Sequence, residues 1–197
     1  MDNERIRKQF EFIKEIDKEK LIKRRNYISD GVTRENDAEH AWHMAMMAIL
    51  LSEYSDEPID VLKTVTMILA HDLVEIKAGD TYAYDEQAKQ SQRERELEAA
   101  DAIFSMLPED QGKKFRALWD EFEEGQTPEA RFAVAMDRTQ PLVLHDLTEG
   151  KAWVENGINL AQVTKRVSKI ARASETLYEF AYENIVVPHV ERGNIKQ

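Results

Sequence analysis

The chain contains no cysteine. Disulfide staples, thiolate metal sites and cysteine nucleophiles are therefore excluded, since each needs a sulfur atom. Glycine and proline are sparse, at seven and five residues in 197, which leaves no low-complexity stretch and no linker rich enough to separate domains. No apolar run approaches the ~20 residues of a membrane-spanning helix. The N-terminal MDNERIRKQFEFIKEIDKEK is charged from its second residue, unlike a secretory signal. Together with the missing cysteines, this predicts a soluble, cytoplasmic protein with no membrane association. Positive charge is also in deficit. Lysine and arginine number 27 against 38 acidic residues, a formal net charge of −11. Stable nucleic-acid binding, which comes mainly from phosphate neutralisation by Lys and Arg, is not expected.

What remains is helical periodicity in nearly every segment. It predicts one all-α domain of six to eight helices over residues 1–197. Ile6, Phe10, Ile13 and Ile16 outline the inner face of a first helix that runs to about Lys23. Lys18, Lys20, Lys23, Arg24 and Arg25 gather near its end, either as a solvated helix terminus or as a phosphate contact at a pocket rim. Residues 26–37 read as an irregular connection, and Asp37 as the cap of a second helix. Pro58 suits the first turn of a third, whose apolar positions are Val61, Leu62, Val65, Ile68 and Leu69. Thr127 and Pro128 form a helix start signal, and Pro141 should kink or interrupt the helix that follows. A last helix is expected from about Leu160 to Val187, ending at Pro188.

Chemistry concentrates in two stretches, AEHAWHMAM (38–46) and LAHDLVE (69–75). The apolar period of the third helix extends to Asp72, which puts a carboxylate on or beside a buried face. Such a group is costly unless it is paired, hydrogen-bonded or bound to metal. Glu75 lies three residues past Asp72 and four past His71, on the same side of a helix. His40 opens a second histidine-bearing helix among small residues, and His43 is one turn further on. Asp137, in ARFAVAMDRTQP, falls on the inner face set by Phe132, Ala133 and Met136. Imidazole and carboxylate donors without thiolate suit a divalent first-row ion.

AEH (38–40), HDLVE (71–75), AGD (78–80) and MDR (136–138) together resemble the H…HD…D signature of the HD-domain superfamily of metal-dependent phosphohydrolases, and most of all its 5′-deoxynucleotidase branch. The resemblance spans roughly residues 5–185. It implies a single compact HD-domain helical bundle. It also implies a divalent metal (Mn²⁺, Co²⁺, Zn²⁺, Fe²⁺ or Mg²⁺) on His40, His71, Asp72 and Asp137. Glu75 resembles the family's catalytic carboxylate. Asp80 matches the GD aspartate at the nucleotide site, and Arg25 falls where the branch has a phosphate-contacting arginine, with Arg24 adjacent. Asn26 stands where the branch often has Trp.

The implied activity is release of phosphate from (deoxy)nucleoside 5′-monophosphates, with a nucleotide as the small-molecule partner and a homodimer as the assembly. The same ligands could serve phosphodiester or nucleoside polyphosphate hydrolysis. Two other readings stay open, a two-metal oxygenase that recruits His43 and a non-catalytic nucleotide sensor. Tyr178, Phe180 and Tyr182 suit either a subunit interface or the core.

Overall fold

A computed structural model describes residues 3–79 and 89–197. The expected all-α bundle is present, with one small addition. Helix α1 (Asn3–Ile16) stops short of Lys23, and a single-turn segment at Asp17–Leu21 leads into a two-stranded antiparallel hairpin, β1 (Lys23–Tyr27) and β2 (Arg34–Asn36). The stretch 26–37, read from sequence as irregular, thus carries part of this hairpin. Asp30 holds its turn by accepting from the backbone N–H groups of Val32 and Thr33, each at 2.8 Å. The Arg34 guanidinium lies 3.6 Å from the Tyr27 ring centre, where cation–π attraction adds to the strand pairing.

Helix α2 (Asp37–Leu51) is capped by Asn36 rather than by Asp37. Asn36 is extended, and its side chain accepts from the Glu39 N–H while the Glu39 carboxylate accepts from the Asn36 N–H, at 3.0 and 2.9 Å. This reciprocal pair satisfies two donors that the helix start leaves open. Helix α3 (Val61–His71) begins three residues beyond Pro58, because Asp60 supplies its cap by accepting from the Lys63 N–H. It ends at His71. A turn then separates it from the short α4 (Glu75–Ala78), which closes on Gly79 with φ 77°, a conformation that favours glycine.

Helices α5 (Lys89–Phe104) and α6 (Glu109–Glu124) form an antiparallel pair, and α7 (Pro128–Leu147) is the longest element. Thr127 caps α7 as expected, with Pro128 at its first position. The expected break at Pro141 does not occur. The helix continues through that buried proline, because packing against α2, α3 and α6 holds its course on several sides. The cost is one internal hydrogen bond, the one the Asp137 carbonyl would otherwise accept. After α8 (Lys151–Asn156), the single last helix expected from about Leu160 to Val187 is replaced by several pieces: α9 (Leu160–Val167), α10 (Glu175–Ala181) and, beyond a π-helical turn at Tyr182–Val186, α11 (Val187–Glu191). Asn159 and Ser174 cap α9 and α10, and Pro188 sits in the first turn of α11 rather than at a helix end.

Met44, Met67, Ile68, Phe132, Met136 and Trp153 fill the main core between α2, α3, α7 and α8. Phe12, Ala70, Ala100, Ile103, Phe104 and Trp119 fill a second one under α1, α5 and α6. On α1 the sequence-based face is reversed. Phe12 is buried, whereas Ile6, Phe10 and Ile13 are 51%, 56% and 56% exposed. Among the described residues no helix is long and apolar enough to cross a membrane.

Candidate metal centre

Three central helices meet at one point, α2 by its start, α3 by its end and α7 by its middle. His40 lies in the first turn of α2, His71 is the last residue of α3 and Asp72 follows it, and Asp137 sits midway along α7. All four are buried. One ligand atom each from His40, His71 and Asp72 fall within 4.8 Å of one another. Asp137 Oδ1 is 3.3 Å from His40 Nε2, and Asp72 Oδ2 is 3.0 Å from His71 Nε2.

Hydrogen bonds on the far side of each ring fix which nitrogen faces this point. His40 Nδ1–H donates to Gln140 Oε1 at 2.9 Å, and His71 Nδ1–H donates to the Ile68 carbonyl at 2.7 Å. Both Nε2 atoms are thereby aimed inward, the arrangement that partners behind a ligating histidine normally enforce. The Gln140 amide in turn donates to Glu35 and lies 3.1 Å from His43 Nδ1. His43 therefore stands behind His40, one residue removed, and is absent from the ligand cluster.

The electrostatics call for a cation. Glu19, Glu35, Asp37, Asp72 and Asp137 are all buried around the centre. Arg24 answers some of this charge, with Nη1 at 2.9 Å from both Asp37 Oδ1 and Asp72 Oδ2. Burial raises Glu19 to about 7, reinforced by the Asp72 charge, and burial likewise raises Glu35 to about 7. Burial alone would depress His71, but the charge and hydrogen bond of Asp72 outweigh it and push the ring up to about 9. His40 goes the other way, down to about 4, through burial and the nearby Arg24 charge. A proton on His71 and the Arg24 guanidinium are thus partial substitutes for positive charge at the focus of the site. Two inward Nε2 atoms and two buried carboxylates are a donor set that fits a divalent metal.

The remaining expected residues separate. Glu75 opens α4, half-buried, with its N–H donating to the Asp72 carbonyl at 2.9 Å, so it stands one turn from the ligands. Asp80 lies outside the described residues. Arg25 is exposed, and its carbonyl accepts from Arg34, whereas the adjacent Arg24 reaches the carboxylates. The cause is strand alternation. Successive side chains of β1 point to opposite faces, so only one of the two arginines can turn inward. Arg24 is one of the two arginines the sequence leaves open for the phosphate contact and Asp37 reads only as a helix cap, whereas Glu35 and Gln140 are site residues that the sequence does not single out. Of these, Gln140 carried a usable signal, since it lies three residues past Asp137 on the same helical face.

The HD-domain family profile matches residues 16–178, most of the chain. The chain belongs to the HD-domain family. This HD-domain protein is similar to the human 5′-deoxynucleotidase HDDC2, at 29% identity over 138 residues, covering 70% of this chain and 66% of the human protein. The Dictyostelium discoideum 5′-deoxynucleotidase HDDC2 is 30% identical over 157 residues, covering 76% of this chain and 83% of its own. Among solved structures, a predicted metal-dependent phosphohydrolase from Magnetospirillum magnetotacticum MS-1 superposes with a TM-score of 0.93 at 44% identity, covering 98% and 96% of the two chains. A conserved hypothetical protein from Pyrococcus furiosus, at 19% identity and a TM-score of 0.62, shares the fold.

Proposed function

We propose that this HD-domain protein is a metal-dependent phosphohydrolase that releases phosphate from (deoxy)nucleoside 5′-monophosphates. One observation carries the reading. His40, His71, Asp72 and Asp137 converge with both imidazole Nε2 atoms facing inward, and Arg24 touches one of the same carboxylates. The deoxynucleotidase names of the human and Dictyostelium relatives support the choice of substrate.

His40, His71, Asp72 and Asp137 would hold a divalent metal, which when bound supplies Lewis-acid activation of water and offsets charge on phosphate. Glu75, one turn beyond Asp72, takes the proton from the attacking water, a role typically worth 10²–10⁴-fold. Arg24 replaces Arg25 as the phosphate contact. Its Nη1 is engaged by Asp37 and Asp72 and its buried Nε lies 3.7 Å from Glu35, which leaves Nη2 to present donors to phosphate oxygens. Gln140 keeps His40 in the tautomer that offers Nε2. The two-metal alternative is disfavoured by His43, whose ring meets Gln140 rather than the ligand cluster.

Phosphate release from the eight common nucleoside and deoxynucleoside monophosphates, with Mn²⁺, Co²⁺, Mg²⁺ and Zn²⁺ supplied separately, tests this reading. Glu75→Gln should lower turnover at least a hundredfold while keeping its metal. Full activity in that variant refutes the role of Glu75, and no phosphate release with any pair refutes the function. We also infer a homodimer, supported by the exposed Ile6, Phe10 and Ile13 on α1. A solution mass of one chain by light scattering refutes it.

A further inference from the structure

A cavity of about 310 Å³ opens beside the metal centre, between the C-terminal end of α6, the middle of α7 and the turn after α9. It touches the centre at two points. The ring of Phe122, in its wall, lies 4.8 Å from the His71 ring, and the Nη1 of Arg138, also in its wall, is 2.6 Å from Asp137 Oδ2. The wall carries four cations, Arg131, Arg138, Lys169 and Arg172, against the carboxylates Glu123 and Glu124. Two of these charges are committed elsewhere. Arg131 is bound to Glu57 and to the Gln126 carbonyl, and Glu123 is paired with Arg93 at 3.2 Å.

Arg138 also spends its Nη1 on Asp137, so Lys169 and Arg172 face the cavity with only Glu124 opposing them. Arg138 keeps a buried Nε that has no hydrogen-bond partner. Arg172 donates to the Gly125 carbonyl at 3.3 Å. Among the described residues no carboxylate lies within ion-pair distance of Lys169. Its ammonium is instead held below the ordinary lysine value, first by the Arg138 charge, then by burial and by Arg166. Lys169 and Arg172 side by side, with no carboxylate paired to Lys169, repel each other, and an anion in the cavity relieves that repulsion. A tetrahedral oxyanion suits the available donors, because guanidinium forks and an ammonium match phosphate oxygens.

We propose that this cavity is a second anion subsite that holds a phosphate group next to the metal centre, with Lys169 and Arg172 supplying its charge and Arg138 linking it to Asp137. The identity of the occupant rests on the phosphohydrolase reading. In that reading it is either a second phosphate on the nucleotide substrate or the orthophosphate just released.

Two measurements on the full chain test the proposal. In the first, orthophosphate is titrated calorimetrically into chelator-treated protein at fixed ionic strength, which needs no turnover and so stands even if the hydrolytic reading fails. Lys169→Gln/Arg172→Gln should weaken binding at least tenfold while leaving the circular dichroism spectrum and metal binding unchanged. Equal affinity in the variant and the parent, or displacement by chloride as effective as by phosphate, overturns the subsite. In the second, the metal-loaded enzyme is assayed on a deoxynucleoside 5′-monophosphate, its 3′,5′-bisphosphate and its 5′-diphosphate. A tenfold rise in KM confined to a doubly phosphorylated substrate identifies the substrate's own phosphate. A tenfold rise confined to the inhibition constant of orthophosphate identifies the product. No change in any of these constants overturns the proposal.

Discussion

His145 offers a quantitative test of how burial sets the acid limit of this fold. It lies near the end of α7, buried, with its ring centre 4.2 Å from that of Trp153. Burial, aided by the charges of Arg166 and His189, lowers it from 6.5 to about 3. The unfolded chain therefore takes up a proton at this residue below pH 6.5, while the folded chain refuses it down to about pH 3. Stability from this residue is present above the unfolded value and falls as the solution is acidified. At pH 5 the unfolded state gains roughly RT ln(1 + 10^1.5), about 2 kcal/mol, which the folded state does not share. Glu19 and Glu35, raised to about 7, act with the opposite sign, since they favour the folded state as pH falls. The His145 contribution must therefore be isolated by difference. His145→Phe keeps a ring against Trp153 and removes the titration. Urea unfolding of parent and variant at pH 7 and pH 5 should show the parent losing about 2 kcal/mol more than the variant, a midpoint difference of roughly 0.7–1 M. Equal losses in the two proteins would refute the assignment of a neutral, proton-resistant His145.

Two further expectations follow from the metal centre. Gln140→Leu removes the acceptor for His40 Nδ1–H, so metal affinity should fall 10–100-fold in a chelator competition, and unchanged affinity would refute the positioning role. Metal loading should stabilise the chain by about 2.7 kcal/mol at a free-metal concentration one hundred times Kd, read as a rise of roughly 5–10 °C in Tm. The same titration should release a proton at neutral pH, because His71 is raised to about 9 in the metal-free chain and must give up that proton to ligate. Thermal curves that coincide with and without metal would refute both parts.

How much of this was legible in the sequence depends on the kind of contact. The helices that carry the ligands have strong periodic patterns, and the His40, His71–Asp72 and Asp137 positions follow from those patterns together with the family motifs. The start of α7 was equally readable, because Thr127 and Pro128 are local chemistry. The failures are tertiary. Ile6, Phe10 and Ile13 have the spacing of a buried stripe, yet α1 buries Phe12 and ties itself to α6 through Arg5–Asp110 and Gln9–Gln111. Nothing within α1 specifies which of its sides meets α6. The division of residues 160–187 depends on Ser174, whose hydroxyl accepts the Leu177 N–H. A serine inside a periodic stretch is compatible with a continuing helix until its neighbours bend the chain.

The choice between Arg24 and Arg25 shows why the site was less legible than the fold. On a helix the two would lie about 100° apart, and both could reach a common rim. On a strand they oppose each other, so once β1 is recognised the basic cluster reduces to a single inward charge. That charge has a definite task. Asp37, the first residue of α2, is fully buried and Asp72 nearly so, and Arg24 Nη1 is 2.9 Å from both. Removing one partner from such a buried arrangement costs far more than forming it stabilises, because the other charges remain desolvated. The hairpin therefore couples the fold to the centre. Lys23↔Asn36 pairing carries β1 to the start of α2, where Asn36 caps the helix, Asp37 meets Arg24, and His40 follows one turn later. A register slip of one residue in β1 would turn Arg24 outward and bring Lys23 or Arg25 inward in its place, so Asp37 and Asp72 would lose the guanidinium geometry that holds Nη1 at 2.9 Å from both.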